Sequence, residues 1–258
     1  MKKTFLPRLQ LFELMDFPWF PSWLRRYQTD SILFSWRHFA RKEKVVKQLS
    51  SLVEQSSVDT IVDLCSGSGG LVTTVFKEIK QRSKKDLSLI LTDLFPNEEL
   101  RFEKDISYWP EPVDVRAIDG KLVGIRTMFG SFHHFSPQQA REILLDAKRS
   151  GQPIAIYEMT PRSVICLFLI FLNSLFGTFL FTPFFRPFSW HRLFLTYLIP
   201  LVPLTLLFDG IVSVFRTYSE EEMLDLAEDK PDDSYKWKSG VHGSLPPVIV
   251  YLTGAPKG

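Results

Sequence analysis

The stretch IVDLCSGSGG, residues 61–70, constrains the fold of this chain more than any other. An apolar run reaches an acid, Asp63, and passes into a loop with glycine at 67, 69 and 70. That pattern predicts a strand buried on both faces, entering a turn whose backbone can approach a ligand closely. The pattern then alternates. GLVTTVFKEIKQRSKK (70–85) sets Leu71, Val75 and Ile79 on one face of a helix, and LSLILTDLF (87–95) reads as a second strand, apolar until Asp93. PVDVRAIDG (112–120) and KLVGIRTMFG (121–130) are further strand candidates. SPQQAREILLDAKRSG (136–151) has Ser136 as a cap, Pro137 at the first helical position and Gly151 beyond the end; QPIAIYEMT (152–160) is the next strand.

Apolar strands separated by amphipathic helices indicate a parallel sheet covered on both faces. Right-handed crossovers then place a ligand at the carboxyl ends of the strands, where strand order reverses. The residues to watch are Asp63 to Gly69, Asp93, Asp119, the loop after Gly130, and Glu158. A dinucleotide loop of the GxGxxG type would need its third glycine at position 72, which is Val72. What remains is an acid ending the first strand and a Gly67-x-Gly69 turn. A carboxylate there suits a ligand bearing an ammonium group rather than a diphosphate. Asp93 is placed to accept hydrogen bonds from two ribose hydroxyls, and Leu94 or Phe95 to lie against a purine.

On these residues the chain resembles the class I S-adenosylmethionine-dependent methyltransferases over 57–160 and, less clearly, 209–258. The resemblance implies a Rossmann-like α/β fold with a mostly parallel seven-stranded sheet and S-adenosyl-L-methionine as cofactor. It implies cofactor contacts from Asp63, Cys65, Ser66, Gly67, Ser68, Gly69, Asp93, Leu94 and Gly130, with Asp119 and Gly120 near the adenine. Cys65 departs from the family pattern, which has glycine there. The family's substrate-facing histidine loop would be FGSFHHFSPQQ, making His133 or His134 a candidate base. One of two adjacent histidines can equally serve only to bond a backbone group. Glu158 is a third candidate, with a helix cap or an Arg162 partner as its plainer role.

The overall charge is nearly balanced, 31 basic against 29 acidic residues, so nothing points to nucleic acid. Residues 1–50 are locally basic, with ten Lys/Arg against four acids, and rich in aromatics. That combination suits an anionic membrane surface. Two distant cysteines, Cys65 and Cys166, suggest a reducing compartment and no zinc site. Arg8, Gln10 and Glu13 interrupt any leader-like apolar run, so a secretory signal is not expected.

Between Arg162 and Arg186 lie 23 residues without a charge, SVICLFLIFLNSLFGTFLFTPFF. As a helix they extend about 35 Å at 1.5 Å per residue, against about 30 Å of hydrocarbon core. The return, LFLTYLIPLVPLTLLF (193–208), has 16 residues, and Pro200 and Pro203 are expected to break its helix. Helices lying in one leaflet are the favoured reading; a spanning hairpin and an apolar lid or dimer face are the alternatives. Trp19, Phe20, Trp23, Phe34 and Trp36, interleaved with Arg25, Arg26, Arg37, Arg41 and Lys42, are expected to anchor the N-terminal helix at the headgroups. The expected division is 1–56 as an interfacial segment, 57–162 as the cofactor-binding core, 163–208 as an apolar insertion and 209–258 as completion of the sheet. The functional expectation is a methyltransferase on the cytoplasmic face of a membrane, acting on a lipophilic acceptor. Its alternatives are methylation of a soluble acceptor by a tethered enzyme, and a non-catalytic membrane adaptor that kept the fold.

Overall fold

The computed structural model describes residues 6–39, 42–96, 103–186, 188–228, 234–243 and 248–257. Arg41, an expected headgroup contact, lies outside them. The chain divides into two compact units, one formed by 1–40 with 160–217, the other by 41–159 with 218–258. In chain order the main elements are α1 (Ser22–Phe39), α2 (Glu43–Gln55), β1 (Thr60–Asp63), α3 (Gly70–Arg82), β2 (Ser88–Leu91), β3 (Ile106–Tyr108), β4 (Ile125–Phe129), α4 (Pro137–Arg149) and β5 (Ile154–Glu158). There follow α5 (Val164–Leu172), α6 (Thr178–Phe181), α7 (Trp190–Tyr197), α8 (Leu201–Arg216), α9 (Glu220–Ala227), β6 (Tyr235–His242) and β7 (Ile249–Pro256).

The sheet unit holds seven strands in the order β3-β2-β1-β4-β5-β7-β6. The first five are parallel; β7 runs antiparallel to both β5 and β6. The expected mostly parallel sheet is therefore present, closed at one edge by a C-terminal hairpin. Val62, Met128, Ile154 and Ile156 pack in one cluster with Ile143 and Leu144 of α4 and Met223 of α9. Alternate residues Ile61, Ile125 and Ala155 point to the opposite face and are just as inaccessible. Burial on both faces explains why these strands are continuously apolar instead of alternating.

One expected strand is absent. Residues 112–120 form turns, and the third strand is Ile106–Tyr108. The acids decide it: Asp114 and Asp119 each accept, through Oδ1, the backbone N–H two residues on, from Arg116 and Lys121. Such local bonds compete with a strand ladder.

The helical unit differs from expectation in two respects. α8 runs unbroken through residue 208, where the sequence suggested a boundary, and ends at Arg216. Pro200 precedes its first residue and Pro203 lies in its first turn, where a missing N–H costs no helical hydrogen bond. Phe20 and Trp36 are buried instead of facing outward: Phe20, just ahead of α1, joins Leu24 and Tyr27 of α1 in a small core with Leu195 and Val202, and Trp36 is buried further along the helix. The N-terminal strand-like segment is strapped to α8: Leu9 N–H donates to Phe215 O (2.9 Å), Leu14 N–H to Asp209 Oδ1 (2.6 Å) and Ser213 Oγ to Glu13 Oε1 (3.0 Å). From α5 to Phe184 the chain is one helical stretch, with a wider turn at Asn173–Gly177 and a tighter one at Thr182–Phe184.

α4 carries the clearest start signal. Gln139 N–H donates to Ser136 Oγ while Ser136 N–H donates to Gln139 Oε1, a reciprocal cap ahead of Pro137. Ser136→Ala is expected to lower stability by about 1 kcal/mol, the usual worth of such a cap, measured as a fall in the urea midpoint at unchanged m-value.

Candidate active site at the carboxyl edge of the sheet

Strand order reverses between β1 and β4, which lie side by side while their following strands build outward in opposite directions. A crevice at the carboxyl ends is the general consequence of such a reversal. Asp63, the last residue of β1, stands at that point, and its carboxylate is almost wholly buried. Thr127 of β4 donates to Asp63 Oδ1 at 2.7 Å, bridging the two strands. The backbone oxygen of Asp63 accepts from Ser66 Oγ (2.8 Å), Thr92 N–H (2.9 Å) and Thr92 Oγ1 (2.8 Å). Burial pushes the Asp63 carboxyl up to about 7; hydrogen bonds from Thr127 and Ser66 oppose the rise and the nearby Asp93 charge adds to it.

The glycine loop is knitted to the end of β2. Ser66 N–H donates to Thr92 O (2.9 Å), Thr92 N–H to Ser66 Oγ (3.1 Å) and Gly69 N–H to Ser66 O (2.7 Å). Cys65 takes φ of 55°, a left-handed conformation that favours glycine, so the departure from the family pattern falls on a strained position. Burial drives its thiol far up from the ordinary range, with Asp93, Asp63 and Asp114 adding to the effect, so it stays protonated. Gly67 has φ of 53° with open space where a Cβ would stand. Gly69 opens α3 at φ of 69°, and a Cβ there would meet Leu91 Cδ1 at 2.5 Å. Ser68 is exposed at the tip.

Asp93 closes onto this loop. Its Oδ2 accepts Gly67 N–H at 2.9 Å and its Oδ1 accepts Phe95 N–H at 3.0 Å, while Leu94 and Phe95 are exposed beside it. Two neighbours had gone unread in the sequence. Tyr108, ending β3, donates its hydroxyl to Gly67 O at 3.1 Å, and burial, then Asp93, pushes its phenol up. Val113 N–H bonds Asp93 O at 2.9 Å, which brings Asp114 within electrostatic reach of Cys65. Tyr108 ends a strand of three residues, too short to show a period. Asp119 and Gly120 are both exposed, with Asp119 engaged in its own turn.

Gly130 follows β4 at φ of 62°, and its N–H donates to Tyr157 O at 2.8 Å. A Cβ there would press Met159 Cε at 2.8 Å. The turn delivers the histidines: His133 is buried and His134 partly so, with their ring centroids 4.3 Å apart. Glu158, ending β5 and fully buried, accepts His133 N–H through Oε1 (3.0 Å) and lies 2.7 Å from His133 Nδ1 through Oε2. A carboxylate on Nδ1 selects the tautomer with the proton on that nitrogen and leaves Nε2 the basic one.

No protein-family model matches the chain, and no curated protein matches it. Among solved structures it is similar to the plantazolicin methyltransferase BpumL in complex with a monoazolic desmethylPZN analogue and SAH: 10% identity, 91% of this chain and 98% of that one, TM-score 0.49. It is similar also to a Rhodobacter sphaeroides protein assigned as a Zn-dependent alcohol dehydrogenase (13%, 90% and 98%, 0.45). A third is an O-methyltransferase family protein from Burkholderia thailandensis (13%, 84% and 57%, 0.40). Likeness at this level decides nothing about activity; the chemistry rests on the residues above.

Two outcomes are expected of this geometry. Because the folded-state value of Asp63 lies above its unfolded one, its contribution to stability is full below pH ~4 and lost as pH rises through about 7. Asp63→Asn should therefore flatten the decline in the urea midpoint between pH 4 and 8. Cys65→Gly should relieve the left-handed strain and stabilise by about 1 kcal/mol, less whatever the thiol's packing contributes.

Proposed function

We propose that this chain is an S-adenosylmethionine-dependent methyltransferase that works at a membrane on a lipophilic acceptor. The observation that supports the chemistry is the presence of two acid-organised groups at one edge of the sheet. On β1 and β2 a glycine turn is closed by Asp93; on β4 and β5 a histidine is clamped by a buried carboxylate. The donor set fits the cofactor. Gly67 is exposed with open space beside its Cα, so the backbone of the turn can be approached closely there. Asp93 has lone pairs beyond its two backbone bonds for ribose hydroxyls, and exposed Leu94 and Phe95 offer an apolar face for a purine. When bound, S-adenosylmethionine supplies an electrophilic methyl group.

The chain's own residues supply alignment and a proton acceptor. His133 Nε2 takes the proton of an acceptor hydroxyl or amine, and Glu158 holds the ring and stabilises the imidazolium that forms. That requirement favours an O–H or N–H nucleophile. Water exclusion and in-line positioning contribute much of the remaining rate. Support for a lipophilic acceptor comes from the apolar stretch Val164–Phe184, long and apolar enough to meet a bilayer. Its first residue follows Glu158 by only six positions in the chain.

Calorimetry with S-adenosylmethionine tests the first half: binding is expected, and Asp93→Ala should weaken it more than tenfold. Absence of binding would leave the non-catalytic adaptor. His133→Ala should cut methyl transfer on the order of 10²–10⁴-fold, abolish the acid limb of the pH–rate profile, and leave cofactor affinity within twofold. Transfer to detergent-solubilised lipids, and none to a water-soluble metabolite extract, is the result expected for the acceptor.

A further inference from the structure

The helical unit formed by 6–39 and 160–217 is built the wrong way round for water. Among the described residues, the large apolar side chains left exposed are nearly all in this unit; Leu94, Phe95, Val123 and Val241 are the exceptions. Along Val164–Phe184 the reversal follows the helix turn by turn. Ser174, Thr178 and Thr182 are buried, while Phe168, Phe176 and Leu180 face outward. Soluble monomers rarely expose a continuous apolar surface of this kind. In lipid the arrangement is the low-energy one, because polar groups are turned away from the acyl chains and apolar groups meet them.

Length limits how such a unit can sit. Val164–Phe184 at 1.5 Å per residue reaches about 31 Å, enough for a crossing. The return is not. α7 and α8 have 8 and 16 residues and meet at a 71° bend. These are about 12 and 24 Å, both short of a hydrocarbon core of about 30 Å. α8 moreover buries Asp209 and Arg216, and the bend itself is an exposed apolar tip, Leu198 and Ile199.

Charge chooses the lipid. The unit has four acids, and none is a free surface charge: Glu13 and Asp209 are buried, Asp16 pairs with Arg216 and Asp30 with Arg192. Its exposed charges are basic, Arg26, Arg37 and Arg186. A second copy of the chain packed on this face would bring arginines against arginines with no acid to answer them. Anionic headgroups answer them directly.

Resting on the membrane half of the proposed function, we infer that this unit is a monotopic lipid-embedded module, inserted into one anionic leaflet with Val164–Phe184 and the 198–199 tip among the acyl chains. The test uses the full chain with vesicles of phosphatidylcholine, alone or with phosphatidylglycerol. Flotation should show at least tenfold tighter binding to the anionic vesicles, and Arg26→Glu with Arg37→Glu and Arg186→Glu should erase that preference. Phe168→Asp with Leu180→Asp should abolish binding to both while S-adenosylmethionine affinity persists as the check on folding. Arg186→Cys in bound protein should react with a membrane-impermeant maleimide added outside. Equal binding to both vesicles overturns the anionic leaflet while membrane association stands. Protection of Arg186→Cys until detergent is added overturns the single-leaflet geometry. Binding to neither vesicle, with reversible dimerisation by sedimentation, overturns the inference and the membrane reading together, and leaves the transfer chemistry to be judged by calorimetry.

Discussion

A carboxylate in the interior of a protein has to be answered, and here Thr127 answers Asp63 across the two strands at which the sheet reverses. The pairing joins β1 to β4 by side chains where the backbone ladder ends. Around it the Asp63 backbone oxygen gathers Ser66 and Thr92, so the glycine loop, the end of β2 and the centre of the sheet share one anchor. Burial holds that carboxyl near 7, within the range where a nearby cation would draw it into its charged form. The site's electrostatics are thus set by where a strand ends in a low-dielectric interior.

The same edge carries two acid-centred arrangements on two pairs of strands. Asp93 shapes the glycine turn through the Gly67 N–H, and Glu158 shapes the histidine through both its backbone N–H and Nδ1. Each acid acts by organising a neighbour. Cys65, Gly67, Gly69 and Gly130 all adopt positive φ, the conformational cost of turning the chain sharply at strand ends. Only the first of them pays with a side chain.

The helical unit is arranged on a different plan. Its polar residues are not excluded from the interior; they are collected there, in Thr–backbone bonds, in Arg–Asp pairs and in the strap from Glu13 and Leu14 to α8. On the proposed membrane reading, net attraction between apolar faces would contribute little to holding these helices together. Buried hydrogen bonds and ion pairs, stronger at low dielectric, would contribute more.

Much of this was legible in the order of residues. β1, β2, α3, α4 and β5 follow from apolar runs, caps and glycines, and the acids ending β1 and β5 could be named because strand ends are where apolar character stops. β3 could not be read: three residues carry no period, and the Val113–Val115 pair mimicked a strand that Asp114 and Asp119 turn aside. Of the two prolines expected to break the return segment, Pro200 does stand at the break between α7 and α8, whereas Pro203 falls in the first turn of α8 and interrupts nothing. The sequence by itself determined local periodicity, turns and the length of the uncharged stretch, since these depend on neighbours in the chain. Only the tertiary structure decided that Thr127 meets Asp63, that Glu158 clamps His133, that Tyr108 reaches Gly67, and that Thr178 turns inward while Phe176 turns out. Those are contacts between segments far apart in sequence or choices between two faces of one helix, and packing alone selects them.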